Sequence, residues 1–489
     1  MFKRILCSLI ATSIISCNET VKEINDSAYY SSKADSIHAQ HIENNLIPMY
    51  SVAGRVRKMS IPEMMEQDRI PGLSIAFVDN GQIAWTKHYG YASLEDSIPI
   101  ASQTVFTGAS LSKPVTAIAA LHLVEKGLLN LDEDVNLKLK EWKVPETPLT
   151  DNEKVTLRRL IGHNAGIKND LWSSYLPGEK VPTLNQMLAG EEPSVDPPTS
   201  VIHEPGSRVE YSNPGYSIIQ KLLMDVSDDP FEPLMQSIIF DPSGMENSTF
   251  KQPIPDELME RRAVGYTEEL TPYPYRLFPY LAAGGIWTTP SDLAKFMITL
   301  LNDYHKGSNT LISKEMAETV FRKNIGRYVF TLWNWGDDIV FQHYGSNQGF
   351  NCFMYGSVDK NQGIVVMTNS DNSFGLFDYI QRAVNDEYQW EYVRPEILNP
   401  VTTDLSWVTP FLGSYNWRND EVLLTQEDNA LVFQRDAEKY VLTQTGERVF
   451  VLAEIPLKIS IPESVNDPLT IWEPDGYPYR TKRVDENNP

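Results

Sequence analysis

Ser110 stands three residues before Lys113 in the stretch Thr107-Gly108-Ala109-Ser110-Leu111-Ser112-Lys113-Pro114. At that spacing two side chains share one face of a helix, so a hydroxyl and an amine can meet. A serine hydroxyl is a poor nucleophile at neutral pH and needs a neighbouring base. A lysine can be that base, or a proton relay, when burial and nearby positive charge lower its pKa. The residues from Pro114 to Leu123 are small and apolar, too apolar for a surface helix. Pro114 is tolerable where first-turn N–H groups have no partner within the helix, which places Ser110 at the helix start. Backbone N–H groups there point at any anion forming beside Ser110. Ser-x-x-Lys alone is common by chance. Its weight here comes from the flanks, which set a costly lysine at the mouth of a core helix.

Two further stretches are dense in functional groups. Tyr211 and Asn213, one residue apart between Pro205-Gly206 and Pro214-Gly215, can point into one cleft from a loop. A tyrosine held beside Lys113 would lose its proton more easily and could act as a base. His343-Tyr344-Gly345-Ser346-Asn347-Gln348-Gly349-Phe350 lies between strand-like Asp338–Phe341 and Cys352–Tyr355, and glycines in a strand pattern mark close approach by a ligand. His163, in the glycine-bracketed Gly162–Ile167, reads as fixing a tight turn in preference to acting as a base. Cys352 reads as a buried strand residue, not a nucleophile. No His or Cys spacing points to a metal, and no cofactor is expected.

The elements that must position these groups are legible in outline. A helix is expected from Ile61 to Asp68, ended by Ile70-Pro71-Gly72. The runs Leu73–Val78 and Ile83–Thr86 flank Asp79-Asn80-Gly81-Gln82, a hairpin pattern, with a third strand at Lys87–Tyr91. Residues 168–205, rich in Pro, Ser, Asp and Trp, suit a long loop over a cleft. Helices are expected at Ser217–Ser227 and Phe231–Ile239, and after Thr289 or Ser291 as cap. Another strand is expected at Gly363–Asn369.

Ser110-Leu111-Ser112-Lys113, then Tyr211-Ser212-Asn213, then His343-Tyr344-Gly345, in this order and at wide spacing, resemble the three motifs of penicillin-recognising serine hydrolases. The branch is that of class C β-lactamases, D-Ala-D-Ala carboxypeptidases, D-aminopeptidases and related esterases, and the likeness covers about residues 55–390. It implies an α+β fold: an antiparallel sheet flanked by helices, next to an all-helical subdomain, with the site between them. It implies Ser110 as acyl-enzyme nucleophile, with Lys113 and Tyr211 sharing the proton transfers. Asn213, His343 and Gly345 would bind substrate, and the backbone N–H groups of Ser110 and Ser346 would form the oxyanion hole. Class C β-lactamases usually carry Lys in the third motif. His343 offers positive charge less dependably near neutral pH, so efficient β-lactam hydrolysis is not expected.

Length, charge and termini bound the rest. At 489 residues the chain has room for more than one domain, and a formal net charge of -23 without a basic block excludes a nucleic-acid partner. Met1-Phe2-Lys3-Arg4 followed by the short apolar run Ile5–Ile15 reads as a signal peptide, too short to span a bilayer. Ile14-Ile15-Ser16-Cys17 resembles a bacterial lipoprotein signal, with cleavage before Cys17 and lipid on its thiol. An ordinary signal peptide with an incidental cysteine is the alternative. With Asn18 next, the expected place is the outer membrane, facing the periplasm. Residues 18–54 read as a tether, 55–395 as the hydrolase domain, and 400–489, with its short alternating runs, as a small β-barrel or sandwich. The substrate expected is an ester, a small amide or a D-amino-acid peptide. Action as a D-Ala-D-Ala carboxypeptidase or β-lactamase, and a non-catalytic ligand sensor, stand as alternatives. Specificity would lie in the loops at 168–205 and 255–280.

Overall fold

A computed structural model describes residues 28–322, 329–335, 338–418, 420–452, 457–473, 478–481 and 483–484. The signal peptide and the lipidation site expected at Cys17 lie outside these residues. The main sheet is antiparallel. Its strands are β1 (Tyr29–Tyr30), β2 (Gly72–Asp79), β3 (Gln82–Ser93), β4 (Thr331–Trp335), β5 (Asp338–Asn347), β6 (Phe350–Ser357) and β7 (Gln362–Thr368), in the spatial order β1-β3-β2-β7-β6-β5-β4. Asn80 and Gly81 turn β2 into β3 with φ of 49° and 72°, the left-handed pair a two-residue hairpin needs. The strand expected at Lys87–Tyr91 is not separate. β3 runs unbroken to Ser93 and absorbs its irregularity as a register shift opposite Phe77 and Val78.

The sheet is covered on both faces, which is why its central strands read as continuous apolar runs. On β7, Ile364 and Val366 point to a core shared with α1 (Lys33–Glu43), α2 (Ile61–Gln67) and a C-terminal helix, Phe374–Glu387. Val365 and Met367 point the other way, into the larger core that holds the helical part of the domain. Two helices of that part carry the site: α3 (Ser112–Glu125) and α4 (Asn213–Ser227). Every residue of the chain from Leu111 to Leu121 is buried, so α3 is enclosed on all sides, as its all-round apolar sequence requires. Thr289, not Ser291, caps the helix Pro290–Lys306, its hydroxyl accepting from the Asp292 N–H at 3.1 Å.

The stretch expected as a tether is folded from residue 29 on. Tyr29 and Tyr30 pair with Thr86 and Trp85, and Tyr50–Val52 pairs parallel with Glu396–Leu398. Between them Ala39, Ile42 and Leu46 form a one-sided apolar stripe among polar residues, and that stripe is buried. After Leu398 the chain forms two antiparallel sheets, Gly413–Val441 in four strands and Thr443–Thr481 in five, wrapped around one core. The edges meet through a Tyr415–Arg483 bridge and the Leu442 N–H to Leu431 carbonyl bond. Val451 of this β-unit packs with Met49, Tyr50 and Val52, and Lys458 bonds Glu396 at 2.7 Å.

Candidate active site

Ser110 sits in a 3-10 turn, Ala109–Leu111, that leads straight into α3. Ala109 holds φ of 44°, a left-handed conformation rare for a residue with a Cβ. Two bonds hold that turn. The Ala109 N–H donates to Thr107 Oγ1 at 3.3 Å, and Ser112 Oγ donates to the Ala109 carbonyl at 2.7 Å. Ser112 Oγ also accepts from the Ile286 N–H at 3.0 Å, which ties the turn to the 281–287 segment. The Ser110 N–H has no acceptor among the described residues. It is free for an oxyanion.

Lys113 Nζ lies 3.1 Å from Ser110 Oγ and donates to the Ala283 carbonyl at 2.6 Å. The lysine is fully buried, and burial alone pushes its pKa well below the ordinary value, because no carboxylate faces it. Tyr211 comes from the loop before α4, and its hydroxyl donates to Ser110 Oγ at 2.8 Å. The Lys113 ammonium position is 4.7 Å from the Tyr211 ring centre and 5.8 Å from that of Tyr216. Tyr211 is 40% exposed overall, but its hydroxyl points inward to Ser110, and desolvation there pushes the phenol up to about 12. The expectation that Tyr211 loses its proton more easily is therefore corrected for the resting site. Burial lowers the proton affinity of Lys113, which weakens the cation that would hold a phenolate.

His163 holds the turn expected of it, with φ of 53° after Gly162. Its role reaches further. Nδ1 accepts from the Ser212 N–H at 3.1 Å, and the ring packs on Tyr211 at 4.5 Å between centroids. His163 thus holds the backbone and the ring of the loop that brings Tyr211 to Ser110. The turn expected here is tight for a visible reason: a Cβ on Gly166 would meet the His203 carbonyl oxygen at 2.1 Å.

β5 brings the third stretch. A Cβ on Gly345 would meet Cys352 Sγ at 2.5 Å, the Gly108 carbonyl at 2.6 Å and the Ser110 N at 3.2 Å, so only glycine lets β5 lie against the turn. Ser346 follows it, exposed. His343 is buried, with Nδ1 bonded to the Tyr344 carbonyl at 2.8 Å. Its pKa is lowered to about 4, first by burial and then by Lys113, so it is a neutral hydrogen-bonding group at neutral pH. Asn213 is placed differently from the rest. It is the first residue of α4, and its amide donates to the Leu171 carbonyl at 3.2 Å, bracing the 168–205 loop. Cys352 is buried and donates to the Gly108 carbonyl at 3.1 Å, and burial raises its thiol, so it is no nucleophile.

Several supports have no local signature. The Ala283 carbonyl that orients Lys113 is backbone, 170 residues away in sequence. Asn347 Nδ2 donates to Thr107 Oγ1 at 2.8 Å and to the Gly284 carbonyl at 3.1 Å, joining β5 to both sides of the turn. It stands within the stretch His343–Phe350, but nothing local there marks it as a brace.

The family model for beta-lactamase matches residues 60–388. The chain belongs to the beta-lactamase family. With that membership the chain is a serine hydrolase. Among curated proteins, Protein flp of Staphylococcus aureus (strain N315) is 26% identical over 413 residues, spanning 81% of this chain and 78% of that protein. Among solved structures, the octameric penicillin-binding protein homologue from Pyrococcus abyssi superposes with a TM-score of 0.60 at 22% identity, over 86% of this chain and 98% of that one. D-amino acid amidase from Ochrobactrum anthropi does so with a TM-score of 0.55 at 19% identity, over 73% and 100%. These likenesses establish the beta-lactamase fold: helices packed on an antiparallel sheet, with further β-sheets after it in this chain.

Proposed function

We propose that this family member cleaves an ester, a small amide or a D-amino-acid peptide through an acyl-enzyme on Ser110. One observation carries the reading: Lys113 Nζ and the Tyr211 hydroxyl both bond Ser110 Oγ, at 3.1 and 2.8 Å, and the lysine is buried away from any carboxylate. A lysine whose proton affinity is lowered by burial can, in its unprotonated form, take the Ser110 proton as Oγ attacks the substrate carbonyl. Lys113 then becomes a cation beside the Tyr211 ring. That charge draws the phenol pKa down at the step where the leaving group needs a proton, so Tyr211 is the acid for departure. Water then attacks the ester and gives its proton to the Tyr211 phenolate, and as the C–O bond to Ser110 breaks the Lys113 proton returns to Ser110 Oγ, releasing the acid.

The tetrahedral oxyanion falls to the free Ser110 N–H and the N–H of Ser346, a pairing worth about 3–4 kcal/mol per donor. His343, neutral, and Gly345 form the substrate-facing edge of β5, and Asn213 acts on substrate through the loop it braces. A neutral His343 supplies no fixed cation for the carboxylate of a β-lactam, which favours esters and amides. D-amino-acid substrates draw support from the likeness to a D-amino acid amidase. The amino-terminal pattern ending at Cys17 supports a lipid-anchored protein of the outer membrane, facing the periplasm.

The test is turnover by residues 18–489 of a short-chain nitrophenyl ester, a D-amino acid amide, a D-Ala-D-Ala peptide and a chromogenic cephalosporin, beside Ser110→Ala. Turnover of the ester or amide that vanishes in the variant supports the reading. Turnover of the cephalosporin alone would replace it with a β-lactamase.

A further inference from the structure

Next to the catalytic turn the protein encloses a recess of about 20 Å³, walled by Thr107, Trp287, Gln348 and Phe350 and by two arginines, Arg262 and Arg276. Its wall is shared with the site: Thr107 Oγ1 accepts from the Ala109 N–H, one residue before Ser110, and from Asn347 Nδ2. Gln348 follows Ser346 by two residues along the same chain segment. A space of this size holds about one water, so it can admit one oxygen of a carboxylate but not a side chain.

The two guanidiniums are poorly matched by their own protein. Arg276 Nη1 donates to the Ser174 carbonyl at 3.2 Å, but its Nε is buried with no partner. Arg262 Nε reaches only Met259 Sδ, at 3.0 Å, and its guanidinium lies over the Tyr275 ring at 5.4 Å. Among the described residues neither forms an ion pair, and burial holds Arg262 below its ordinary pKa. Asp371, which reaches the recess wall only through Tyr273, is engaged by the Tyr273 hydroxyl at 2.9 Å and the Gly349 N–H at 2.7 Å. In a chain of formal net charge -23, acidic side chains are plentiful, yet this pair is left without one. Guanidinium donors beside apolar walls are suited to a planar carboxylate.

We propose that Arg262 and Arg276 line a carboxylate-binding recess beside the catalytic turn, which takes an acidic group of the substrate cleaved at Ser110. The substrate half of this proposal rests on the hydrolase reading above. The recess itself does not. It points to acyl or leaving groups that carry a carboxylate, in preference to wholly neutral esters.

The experiment compares mono-4-nitrophenyl glutarate with 4-nitrophenyl butyrate in the wild type, Arg262→Gln and Arg276→Gln. A charge-assisted pair corresponds to about tenfold to a hundredfold in KM. The wild type should favour the acidic ester by about that factor, and each substitution should remove most of the preference. An equal ratio in all three proteins overturns the proposal. Thermal unfolding of Ser110→Ala, with glutarate or with uncharged 1,5-pentanediol, reads the recess without turnover and without an arginine variant. Glutarate should raise the midpoint and the diol should not; no difference overturns the recess. A glutarate shift in a wild-type protein that turns over no ester would keep the recess and defeat the hydrolase reading. Glutarate that competes with the acidic ester supports the substrate assignment. Glutarate that alters kcat for the neutral ester without competing overturns that assignment in favour of a free carboxylate effector.

Discussion

Lys113 approaches Ser110 from inside the protein, its Nζ 3.1 Å from Oγ and anchored 2.6 Å from the Ala283 carbonyl. That anchor is neutral, no carboxylate among the described residues pairs with the lysine, and burial holds its pKa well below the ordinary value. The placement decides both what the site can do and what it costs.

Replacing the base separates those effects. Lys113→Met should lower kcat/KM by about a thousandfold or more, since general-base catalysis contributes roughly 10²–10⁴ and the nucleophile also loses its partner. The folded pKa of Lys113 is depressed, so the unfolded state binds the extra proton between that value and the ordinary 10.5. Wild-type stability therefore rises with pH through this window and falls as pH is lowered through it. Chemical denaturation of both proteins at pH 7 and pH 10 checks this: the wild type should gain on Lys113→Met as pH rises.

His343 has the same sign in a different window. Its folded value of about 4 lies below the ordinary 6.5, so stability is fully present above about 6.5 and declines as pH falls toward 4. The loss is on the order of 3 kcal/mol for a buried imidazole with this shift. Urea titrations between pH 7 and pH 4 should show a shallower decline for His343→Gln. An inflection in wild-type kcat/KM at pH 6–7 that disappears in His343→Gln would contradict a neutral His343.

Gly345 is fixed by contact. A methyl group there would meet the Gly108 backbone oxygen at 2.6 Å, and neither strand nor turn can yield cheaply. Gly345→Ala should cost about 1–3 kcal/mol of stability by overpacking and should lower kcat more than it raises KM, because the Ser110 N–H is displaced. Steady-state kinetics beside thermal unfolding will separate the two losses.

His163 positions Tyr211 without touching Ser110. Asparagine tolerates a positive φ and can accept from the Ser212 N–H, but cannot replace the ring that packs on Tyr211 at 4.5 Å. His163→Asn should keep the fold and lower kcat by about tenfold to a hundredfold, the usual consequence of a displaced catalytic group. Its KM should change little.

What could be seen in the sequence follows the range of the interactions. Ser110 and Lys113 meet because one turn of chain joins them, and the Asn80-Gly81 hairpin follows from local backbone preference. Tyr211, His343 and Gly345 stand out locally in dense stretches, but only their order along the chain, through the family resemblance, joins them to Ser110, since nothing local states that a loop and a strand converge on one turn. The Ala283 carbonyl, Asn347 and the packing of His163 on Tyr211 are tertiary facts with no periodic pattern behind them. β1 was passed over as tether because two residues are too few to show alternation. The proton affinity of Tyr211 departs from the expectation because desolvation, which opposes the charge of Lys113, leaves no mark in sequence.

The central claim is that Ser110 carries the acyl group, and intact-protein mass spectrometry tests it most directly. The protein is mixed with an excess of a slowly leaving nitrophenyl ester and quenched in acid within the first turnovers. A mass gain equal to the acyl group, mapped to the peptide containing Ser110 and missing from Ser110→Ala, is the predicted result. Turnover that proceeds with no adduct on Ser110, or that persists in Ser110→Ala, would contradict the account.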